Sequence, residues 1–336
     1  MAVRVVKVEE AIGKVLAYDV TSVTPENMGA VLRRGDVIRE EHIEPLKRSG
    51  HYYVYVVDGE LSTSEEVHED EAVLRVGELA AGEGVAVYAR QGGKALLRAS
   101  TDGLLVVDEE AVREINKEGE FALITRHSGI GVRRGEAVGI VDLIPFYVRR
   151  EVIHRLEEAL SGRKAVSVKP FRNLRVGLIV TGTEVYEGKV KDLASPVVHD
   201  KVRRYGGVVT RSTIVPDDKD VIASRIKEFL RDCDAVIVTG GMSVDPTDKT
   251  PAAIREVADE VVAYGIPVKP TTMSMVAYAA GKPIVGVSSG IIFFREWNVL
   301  DVLLPKVMAG FKWSRDELLA LAVGGLSDVY LRRLKL

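Results

Sequence analysis

The amino-acid sequence predicts an α/β protein: a doubly wound, mostly parallel sheet preceded by a β-rich α+β region. From residue 174 onward, apolar segments alternate with amphipathic ones in repeated β–α units. This pattern indicates a parallel sheet covered by helices on both faces. Residues 1–160 carry shorter strand-like segments separated by turns. The basic stretch 161–173 contains a glycine and a proline, so we expect a linker there and domains at 1–160 and 174–336.

The N-terminal region is expected to form one β-rich α+β domain or two small ones. Its predicted strands alternate apolar and polar residues or are rich in β-branched ones, and they lie at 3–8, 30–38, 51–59, 84–91, 94–100, 121–126 and 137–146. A helix is predicted over 69–81, because apolar residues recur there at helical spacing behind an acidic first turn. Two further helices are predicted over 109–116 and 149–160.

The C-terminal half alternates predicted strands with predicted helices. The strands are placed at 175–182, 208–216, 234–241, 260–268, 273–280 and 283–289, and the helices at 196–206, 220–232, 251–258 and 297–308. Ser195 and Thr250 each precede a proline, which predicts that each is an N-cap residue with proline at the first helical position. Such a fold binds ligands at the carboxyl ends of its strands.

Composition and charge exclude several classes of protein. The net charge of −3 arises from 46 basic and 49 acidic residues, so no general field favours nucleic acid or an anionic membrane as a partner. No apolar stretch approaches the roughly 18 residues of a membrane helix, and the first residues lack the apolar core of a secretory signal. The single cysteine, Cys233, excludes an internal disulfide. We therefore expect a cytoplasmic protein, and the scarcity of Asn and Gln, five in total, suggests a thermophilic source.

Three loops that leave the predicted parallel strands are rich in polar and acidic residues. They carry Thr181-Gly182-Thr183-Glu184, Pro216-Asp217-Asp218, and the run from Thr239 to Asp248 with Gly240, Gly241, Met242, Ser243, Asp245 and Thr247. Parallel strands end at one edge of a sheet, so we expect the three loops to face one ligand. The glycine pair would let backbone amides approach an anion, with the Ser243 and Thr247 hydroxyls as further donors.

The acidic residues among these loops point to a bound cation. Carboxylates at Glu184, Asp217, Asp245 and Asp248 would repel a phosphate unless Mg²⁺ lay between them. The loops thus predict a magnesium-dependent phosphoryl or nucleotidyl site. Structural alternatives remain open at this point: the glycines as a tight strand exit, Asp217 as a helix N-cap, Asp248 as a turn or cap residue, and Glu184 as a solvated carboxylate.

At these residues the sequence resembles a known family. The segments VGLIVTGTEV, SPVV, TIVPDD, VIVTGGMSVDPTDKTP and VKP are similar to the molybdopterin-binding domain shared by molybdopterin adenylyltransferases, molybdopterin molybdenumtransferases and gephyrin-like fusions. The resemblance covers about residues 174–310. Residues 11–20 are also similar to the opening of the molybdenumtransferase type. Two departures stand out: Val287-Ser288-Ser289-Gly290-Ile291 replaces the usual Leu-Pro-Gly-Asn-Pro, and only 311–336 follow the domain.

The resemblance implies molybdopterin, a dithiolene pterin phosphate, as the ligand. We expect Mg²⁺, which the acidic loops already suggested, as the cofactor, and ATP as a co-substrate. It implies acidic residues needed for activity at Asp217 and Asp248, and we place Asp245 with them as catalytic residues and metal ligands. The expected ligand-binding residues are Thr181, Gly182, Glu184, Gly240, Gly241, Met242, Ser243, Ser288, Ser289 and Gly290.

The expected function is molybdopterin binding in molybdenum or tungsten cofactor biosynthesis, with adenylyl or metal transfer. Two alternatives remain: a dinucleotide pyrophosphatase on the same fold, and a non-catalytic molybdopterin carrier or sensor. Aromatic residues concentrate near the carboxyl end, namely Phe293, Phe294, Trp297, Phe311 and Trp313. Such a cluster builds either a core or an interface, so we expect a homo-oligomer, with other cofactor-biosynthesis proteins as further partners.

Overall fold

The computed structural model describes residues 3–24, 27–57, 65–90 and 92–334. The chain divides into two compact units that are not contiguous in sequence. The first contains 1–100, 107–126 and 134–167, and the second contains 101–106, 127–133 and 168–336. The expected linker at 161–173 instead contains a strand, Val166–Pro170.

The elements up to residue 170 are mainly strands. The strands are β1 Val3–Lys7, β2 Val20–Thr24, β3 Asn27–Leu32, β4 Tyr53–Val57, β5 Glu66–His68, β6 Val85–Arg90, β7 Lys94–Ala99, β8 Gly103–Val107, β9 Phe121–Thr125, β10 Gly131–Val132, β11 Ala137–Leu143, β12 Tyr147–Arg149 and β13 Val166–Pro170. The helices are α1 Glu40–Arg48, α2 Glu69–Ala80, α3 Glu109–Lys117 and α4 Arg150–Leu160. The predicted helices over 69–81, 109–116 and 149–160 are thereby confirmed.

The first unit is built from small antiparallel sheets. Strands β6, β7, β11 and β9 form one sheet in that order, and β1 pairs with β4, β2 with β3, and β5 with β12. Helix α2 packs closely against the four-stranded sheet. A Cβ added at Gly77 of this helix would lie 2.8 Å from the Val87 side chain on β6. The strand predicted over 30–38 is wrong beyond Leu32. A turn follows it, in which the Asp36 carboxylate accepts the Arg33 amide at 2.8 Å.

The second unit continues with alternating strands and helices. Its further strands are β14 Arg175–Thr181, β15 Val208–Val215, β16 Ala235–Thr239, β17 Glu260–Tyr264, β18 Ser274–Ala279 and β19 Lys282–Val287. Its helices are α5 Thr183–Tyr186, α6 Ala194–Arg204, α7 Lys219–Asp232, α8 Thr250–Val257, α9 Val299–Met308, α10 Arg315–Ala320 and α11 Asp328–Leu331.

The six strands β14–β19 form one mostly parallel sheet, as predicted. Their order is β15-β14-β16-β19-β18-β17. The pairs β14–β15, β14–β16 and β16–β19 are parallel, whereas β18 pairs antiparallel with both β19 and β17. The chain leaves β14 toward β15 and then crosses back to β16 on the other side. The carboxyl ends of β14 and β16 thus flank the topological switch point, where open α/β sheets bind ligands.

Apolar side chains cover both faces of this sheet. On β14, Val176, Leu178 and Val180 belong to the core shared with α6 and α9, whereas Ile179 belongs to the core shared with α7 and α8. This alternation follows from the two-residue period of a strand. Gly177 lets α7 approach closely, since a Cβ there would lie 2.6 Å from the Phe229 ring.

Two predicted helix caps are wrong by one residue or more. Helix α6 begins at Ala194, and the Asp192 carboxylate accepts the amides of Ala194 and Ser195 at 2.9 and 3.0 Å. Ser195 therefore lies inside the helix, because a carboxylate upstream already satisfies the first amides. Helix α8 begins at Thr250 itself, whose hydroxyl donates backward to the Gly240 carbonyl at 2.9 Å.

The C-terminal aromatic residues divide between core and surface. Trp313 is buried, and its indole N–H donates to the Leu303 carbonyl at 3.2 Å. Trp297 packs partly buried against the same core, while Phe293 and Phe311 are exposed. Oligomerisation remains a prediction, and Phe293 and Phe311 are the rings left for an interface. Within the described residues, no helix is long and apolar enough to cross a membrane.

Candidate functional site

A cavity of about 320 Å³ opens at the carboxyl ends of β14 and β16. We call it the site cavity. Of the predicted site residues, those that line it are Thr181, Gly182, Glu184, Asp217, Gly240, Gly241, Asp248 and Ser289. Its volume lies near the lower end of the range for small-molecule sites, roughly 300–1,000 Å³.

Two threonines, Thr181 and Thr239, line the site cavity, and a third, Thr250, lies behind Thr181. The Thr250 hydroxyl donates to the Gly240 carbonyl, and the Thr181 and Thr250 hydroxyls lie 3.3 Å apart. A hydroxyl has one proton, so Thr181 donates to Thr250 and keeps its own oxygen as an acceptor. Thr239, which also lines the cavity, is fully buried, and its hydroxyl has no hydrogen-bond partner among the described residues. No described residue therefore uses its proton.

The glycine pair after β16 is required by close packing. Gly240 and Gly241 have φ values of 100° and 56°, which L side chains rarely adopt. A Cβ at Gly240 would lie 2.2 Å from the Thr181 carbonyl oxygen, and one at Gly241 would lie 3.3 Å from Asp217 Oδ1. The glycines therefore bring the loops after β14, β15 and β16 together.

Several backbone amides that were expected to hold an anion are already engaged. The Gly240 amide donates to the Val287 carbonyl, and the Gly182 amide donates to the Val215 carbonyl, each at 3.2 Å. The Ser243 amide donates to Asp248 Oδ2 at 2.6 Å. An anion in this cavity would therefore meet hydroxyl donors more than backbone amides, because strand-end carbonyls and the Asp248 carboxylate already accept these N–H groups.

Asp217 joins the loops after β14 and β15. Its Oδ2 accepts the Thr183 amide at 2.8 Å and the Thr183 hydroxyl at 3.3 Å. The helix cap belongs to its neighbour Asp218, whose Oδ1 accepts the Asp220 and Val221 amides. The reading of Asp217 as the N-cap of α7 is thus wrong, since the cap lies one residue later.

Asp248 and Asp245 have different positions in the loop before α8. Asp248 lines the site cavity, and its hydrogen bond to the Ser243 amide closes the loop through Oδ2. Asp245 lies outside the cavity lining, and its Oδ1 accepts the Thr247 amide and hydroxyl. These bonds from Thr247 hold the pKa of Asp245 below its ordinary value.

Some predicted ligand-binding residues lie elsewhere. Met242 is buried in the core. Its side chain and that of Ile254 both pack against Gly286 of β19. Ser243 is exposed and outside the cavity lining, whereas Ser288 and Gly290 line a second cavity next to the first.

The loop before α6 also lines the site cavity, and sequence reasoning missed it. It contributes Lys191 and Asp192. Asp192 at the start of α6 has the sequence signature of an N-cap, but Ser195-Pro196 drew the prediction further along the chain. The Asp192 carboxylate accepts the first amides of α6. Lys191, the residue before it, adds a positive charge to the cavity lining.

The lining of the site cavity is acidic among the described residues. Carboxylates of Glu184, Asp192, Asp217 and Asp248 are present beside the single ammonium of Lys191. Nevertheless, no group of three or more His, Cys, Asp or Glu in the described residues is arranged to hold a metal ion. The Asp217, Asp245 and Asp248 carboxylates thus do not converge as one preformed metal site.

Sequence comparison identifies this domain. A family model described as a probable molybdopterin binding domain matches residues 177–307. These residues therefore form a molybdopterin-binding-family domain. A second model, described as a domain of unknown function, matches residues 5–58.

Curated relatives resemble parts of the chain. A CinA-like protein of Citrifermentans bemidjiense is 39% identical over 85 residues, which are 25% of this chain and 20% of that protein. A molybdopterin molybdenumtransferase of Staphylococcus aureus is 30% identical over 128 residues, covering 36% of this chain and 30% of that protein. The chain thus spans less than a third of the length of either relative.

Solved structures of similar domains include the molybdopterin biosynthesis enzyme MoaB of Thermus thermophilus. It is 19% identical, covers 42% of this chain and 99% of its own, and gives a TM-score of 0.36. The tungsten cofactor synthesizing protein MoaB of Pyrococcus furiosus is 19% identical, covers 40% and 93%, and gives a TM-score of 0.34.

Proposed function

We propose that this protein binds molybdopterin in the site cavity and transfers an adenylyl group or a metal to it during molybdenum or tungsten cofactor biosynthesis. One observation carries the proposal: the Thr239 hydroxyl is buried in the cavity wall and lacks a hydrogen-bond partner among the described residues. A buried donor without a partner costs about 1–3 kcal/mol. A phosphate oxygen of the ligand would satisfy this donor. The family assignment of residues 177–307 supports the pterin phosphate as that ligand.

Magnesium fits the cavity only together with the ligand. Asp217 and Asp248 each use Oδ2 for the hydrogen bonds that fix their loops. The Oδ1 atoms would bind the ion, with phosphate oxygens completing the oxygen shell that Mg²⁺ prefers. Bound there, Mg²⁺ would neutralise charge on the reacting phosphate. Asp217 and Asp248 would hold the ion, Lys191 contributes positive charge to the cavity lining, and Asp245 holds its own turn through Thr247.

The test combines identification of the ligand with one isosteric substitution. Mass spectrometry of small molecules that copurify with the protein should detect molybdopterin or its oxidised pterin. Thr239→Val removes the hydroxyl and retains the shape. We expect it to weaken molybdopterin binding about tenfold or more, since a hydrogen bond to a charged group contributes about 1.5–3 kcal/mol. The free energy of unfolding should not fall.

Thr213→Val is the matched control, because Thr213 lies on strand β15 of the same sheet and outside the cavity lining. It should leave molybdopterin affinity unchanged. Equal affinity in the wild type and Thr239→Val, with no copurifying pterin, would refute the proposal.

A dinucleotide pyrophosphatase is the second candidate. The acidic cavity wall favours it, because Glu184, Asp217 and Asp248 all line the cavity and a pyrophosphate would bring a cation that such carboxylates attract. Magnesium-dependent hydrolysis of ADP-ribose in the absence of any pterin would favour this activity. Tight molybdopterin binding without turnover would instead indicate a carrier or sensor.

A further inference from the structure

The four-stranded sheet β6-β7-β11-β9 of the first unit carries helix α2 on one face. On that face Ala95, Val141 and Leu123 lie opposite one another in the register of β7, β11 and β9, and all three are buried. A Cβ at Gly77 of α2 would lie 3.4 Å from the Ala95 side chain, which identifies this as the face that the helix covers. Successive residues of a strand point to opposite faces. The neighbouring side chains therefore form a second face, away from α2, which we call the outer face.

A row of large apolar side chains crosses the whole outer face. It consists of Tyr88 on β6, Leu96 on β7, Ile140 on β11 and Ile124 on β9, each opposite the next in the strand register. Tyr88 and Ile124 at the two ends are 53% and 56% exposed, and the two residues between them are partly exposed. Exposed apolar side chains scattered singly are normal on a monomer, whereas a contiguous set indicates an interaction surface.

The charges beside this row differ between the two sides of the outer face. Strands β6 and β7 carry the basic residues Arg90, Lys94 and Arg98. Asp142 on β11 lies opposite Lys94 in the register, and its Oδ1 is buried without a hydrogen-bond partner among the described residues. On the same side as Asp142, Arg126 and Glu136 pair with each other at 2.7 Å. Asp142 therefore makes this side acidic, and its carboxylate has acceptor capacity that the described chain does not use.

A second copy of the chain fits both the apolar row and these charges. Two copies that pack face to face about a two-fold axis present the same patch to each other, and the axis lies in the plane between them. An axis parallel to the strands, between β7 and β11, places Leu96 against Ile140 of the second copy and brings the two ends of the apolar row together. It also places Lys94 against Asp142 of the second copy, twice by symmetry. Aligned sheets pack in this way about 10 Å apart.

We propose that the outer face is the interface of a homodimer, in which two copies of this sheet pack face to face about that axis. The occupant is a second copy because the two-fold rotation sets the basic side of each face on the acidic side of the other. A partner of uniform charge would be attracted by one side and repelled by the other. This interface lies in the first unit, so it is independent of the function proposed for the site cavity.

The association state of the full chain tests the proposal. Sedimentation equilibrium over about a hundredfold range of protein concentration should show a monomer that passes into a dimer. Ile124→Ser should raise the dimer dissociation constant about tenfold or more, because the interface loses two symmetric copies of an apolar contact. Val208→Ser is the matched control, since Val208 is 52% exposed on β15 in the other unit. It should leave the dissociation constant unchanged.

Charge reversal at the paired positions tests the geometry. Lys94→Glu and Asp142→Lys should each weaken the homodimer at least about tenfold, because each change sets like charges opposite each other twice. An equimolar mixture of the two variants should dimerise with the affinity of the wild type, since each substituted position then faces an opposite charge. Either substitution also disturbs the Lys94–Asp142 neighbours within its own sheet. Mixing cannot repair that disturbance, so recovery in the mixture requires contact between two different chains.

Three outcomes would overturn the interface. The first is a wild-type protein that stays monomeric over the whole concentration range. The second is a dimer whose dissociation constant is the same in the wild type, Ile124→Ser and both charge variants, because another surface would then hold it. The third is a mixture of Lys94→Glu and Asp142→Lys that associates as weakly as either variant alone.

Discussion

Lys201 on α6 and Asp301 on α9 form a buried ion pair, with Nζ and Oδ2 2.5 Å apart and side chains only 2% and 3% exposed. The same carboxylate accepts the Tyr205 hydroxyl at 2.8 Å and the Asn298 amide at 2.9 Å. Burial lowers the pKa of Lys201, opposed by the Asp301 charge. The pair joins the helix that follows Asp192 to the helix that follows the 288–290 segment. It thereby links two helices whose preceding segments contribute residues to the lining of the site cavity.

Asp301→Ala should therefore destabilise the protein strongly. Removing one partner of a buried pair leaves an uncompensated charge, and the expected cost is about 3–5 kcal/mol. Replacing both, as Lys201→Met with Asp301→Leu, should cost less than the single change, because no buried charge remains. Denaturant unfolding measures both variants.

Arg203→Met is the control for this pair, since Arg203 and Asp200 form an exposed ion pair on the same helix. It should change the free energy of unfolding by less than about 1 kcal/mol. A double variant as unstable as Asp301→Ala would show that the cost arises from the lost hydrogen bonds of Asp301 with Tyr205 and Asn298, and not from an unpaired charge on Lys201.

Substitutions at the adjacent residues Asp217 and Asp218 should have opposite effects, one on magnesium-dependent turnover and the other on the free energy of unfolding. Asp218→Ala removes the α7 cap and should cost about 0.5–2 kcal/mol of stability, with magnesium-dependent turnover retained. Asp217→Asn keeps an oxygen to accept the Thr183 amide, so stability should change little. Turnover should fall by orders of magnitude if the charge binds the ion. Unfolding curves and activity at saturating magnesium test the pair, and the reverse pattern would contradict the assignment.

Asp248 and Asp245 provide a second comparison within one loop. Asp248→Ala should cost about 0.5–1.5 kcal/mol, because the Ser243 amide loses its acceptor. Asp248→Asn retains an acceptor oxygen and isolates the charge, so it should keep stability and lose magnesium-dependent turnover. Asp245→Asn, outside the cavity lining, should keep both. Full turnover in Asp248→Asn would remove this residue from the proposed magnesium site.

Glu69 in the first unit should make stability depend on pH. Burial, followed by the nearby Asp70 charge, raises the pKa of Glu69 from 4.5 to about 7; Asp19 adds to this and Arg34 opposes it. The folded state thus binds more protons than the unfolded state between these values. Stability from Glu69 is present below pH 4.5 and is lost as pH rises through 7. Partial exposure limits the loss to about 1 kcal/mol.

Glu69→Gln should remove this pH dependence, and Glu78→Gln, at an exposed position of the same helix, should not. Chemical denaturation at pH 4.5, 6 and 8 compares the three proteins. Identical pH slopes in the wild type and Glu69→Gln would show that Glu69 ionises normally in the fold.

The sequence alone determined the class of fold, and it predicted the edge of the sheet where we propose that the ligand binds. Strands as apolar as β14 and β16 can only be buried on both faces, and glycine and aspartate after such strands indicate a binding edge. These patterns involve residues that are close together in the sequence, so they can be recognised without a structure. The molybdopterin-binding resemblance rested on the same loops, and the family match at 177–307 confirmed it.

Tertiary structure decided which polar atoms remain available at that edge. Thr239 and Thr250 look alike in the sequence, yet Thr250 donates to the Gly240 carbonyl while Thr239 keeps its proton. Asp217 and Asp218 are neighbours, yet only one caps α7. The return of Tyr330 to Lys269 and the Lys201–Asp301 pair join residues about 60 and 100 positions apart. Hydrogen-bond partners and long-range contacts depend on how separate segments pack, which local periodicity does not encode.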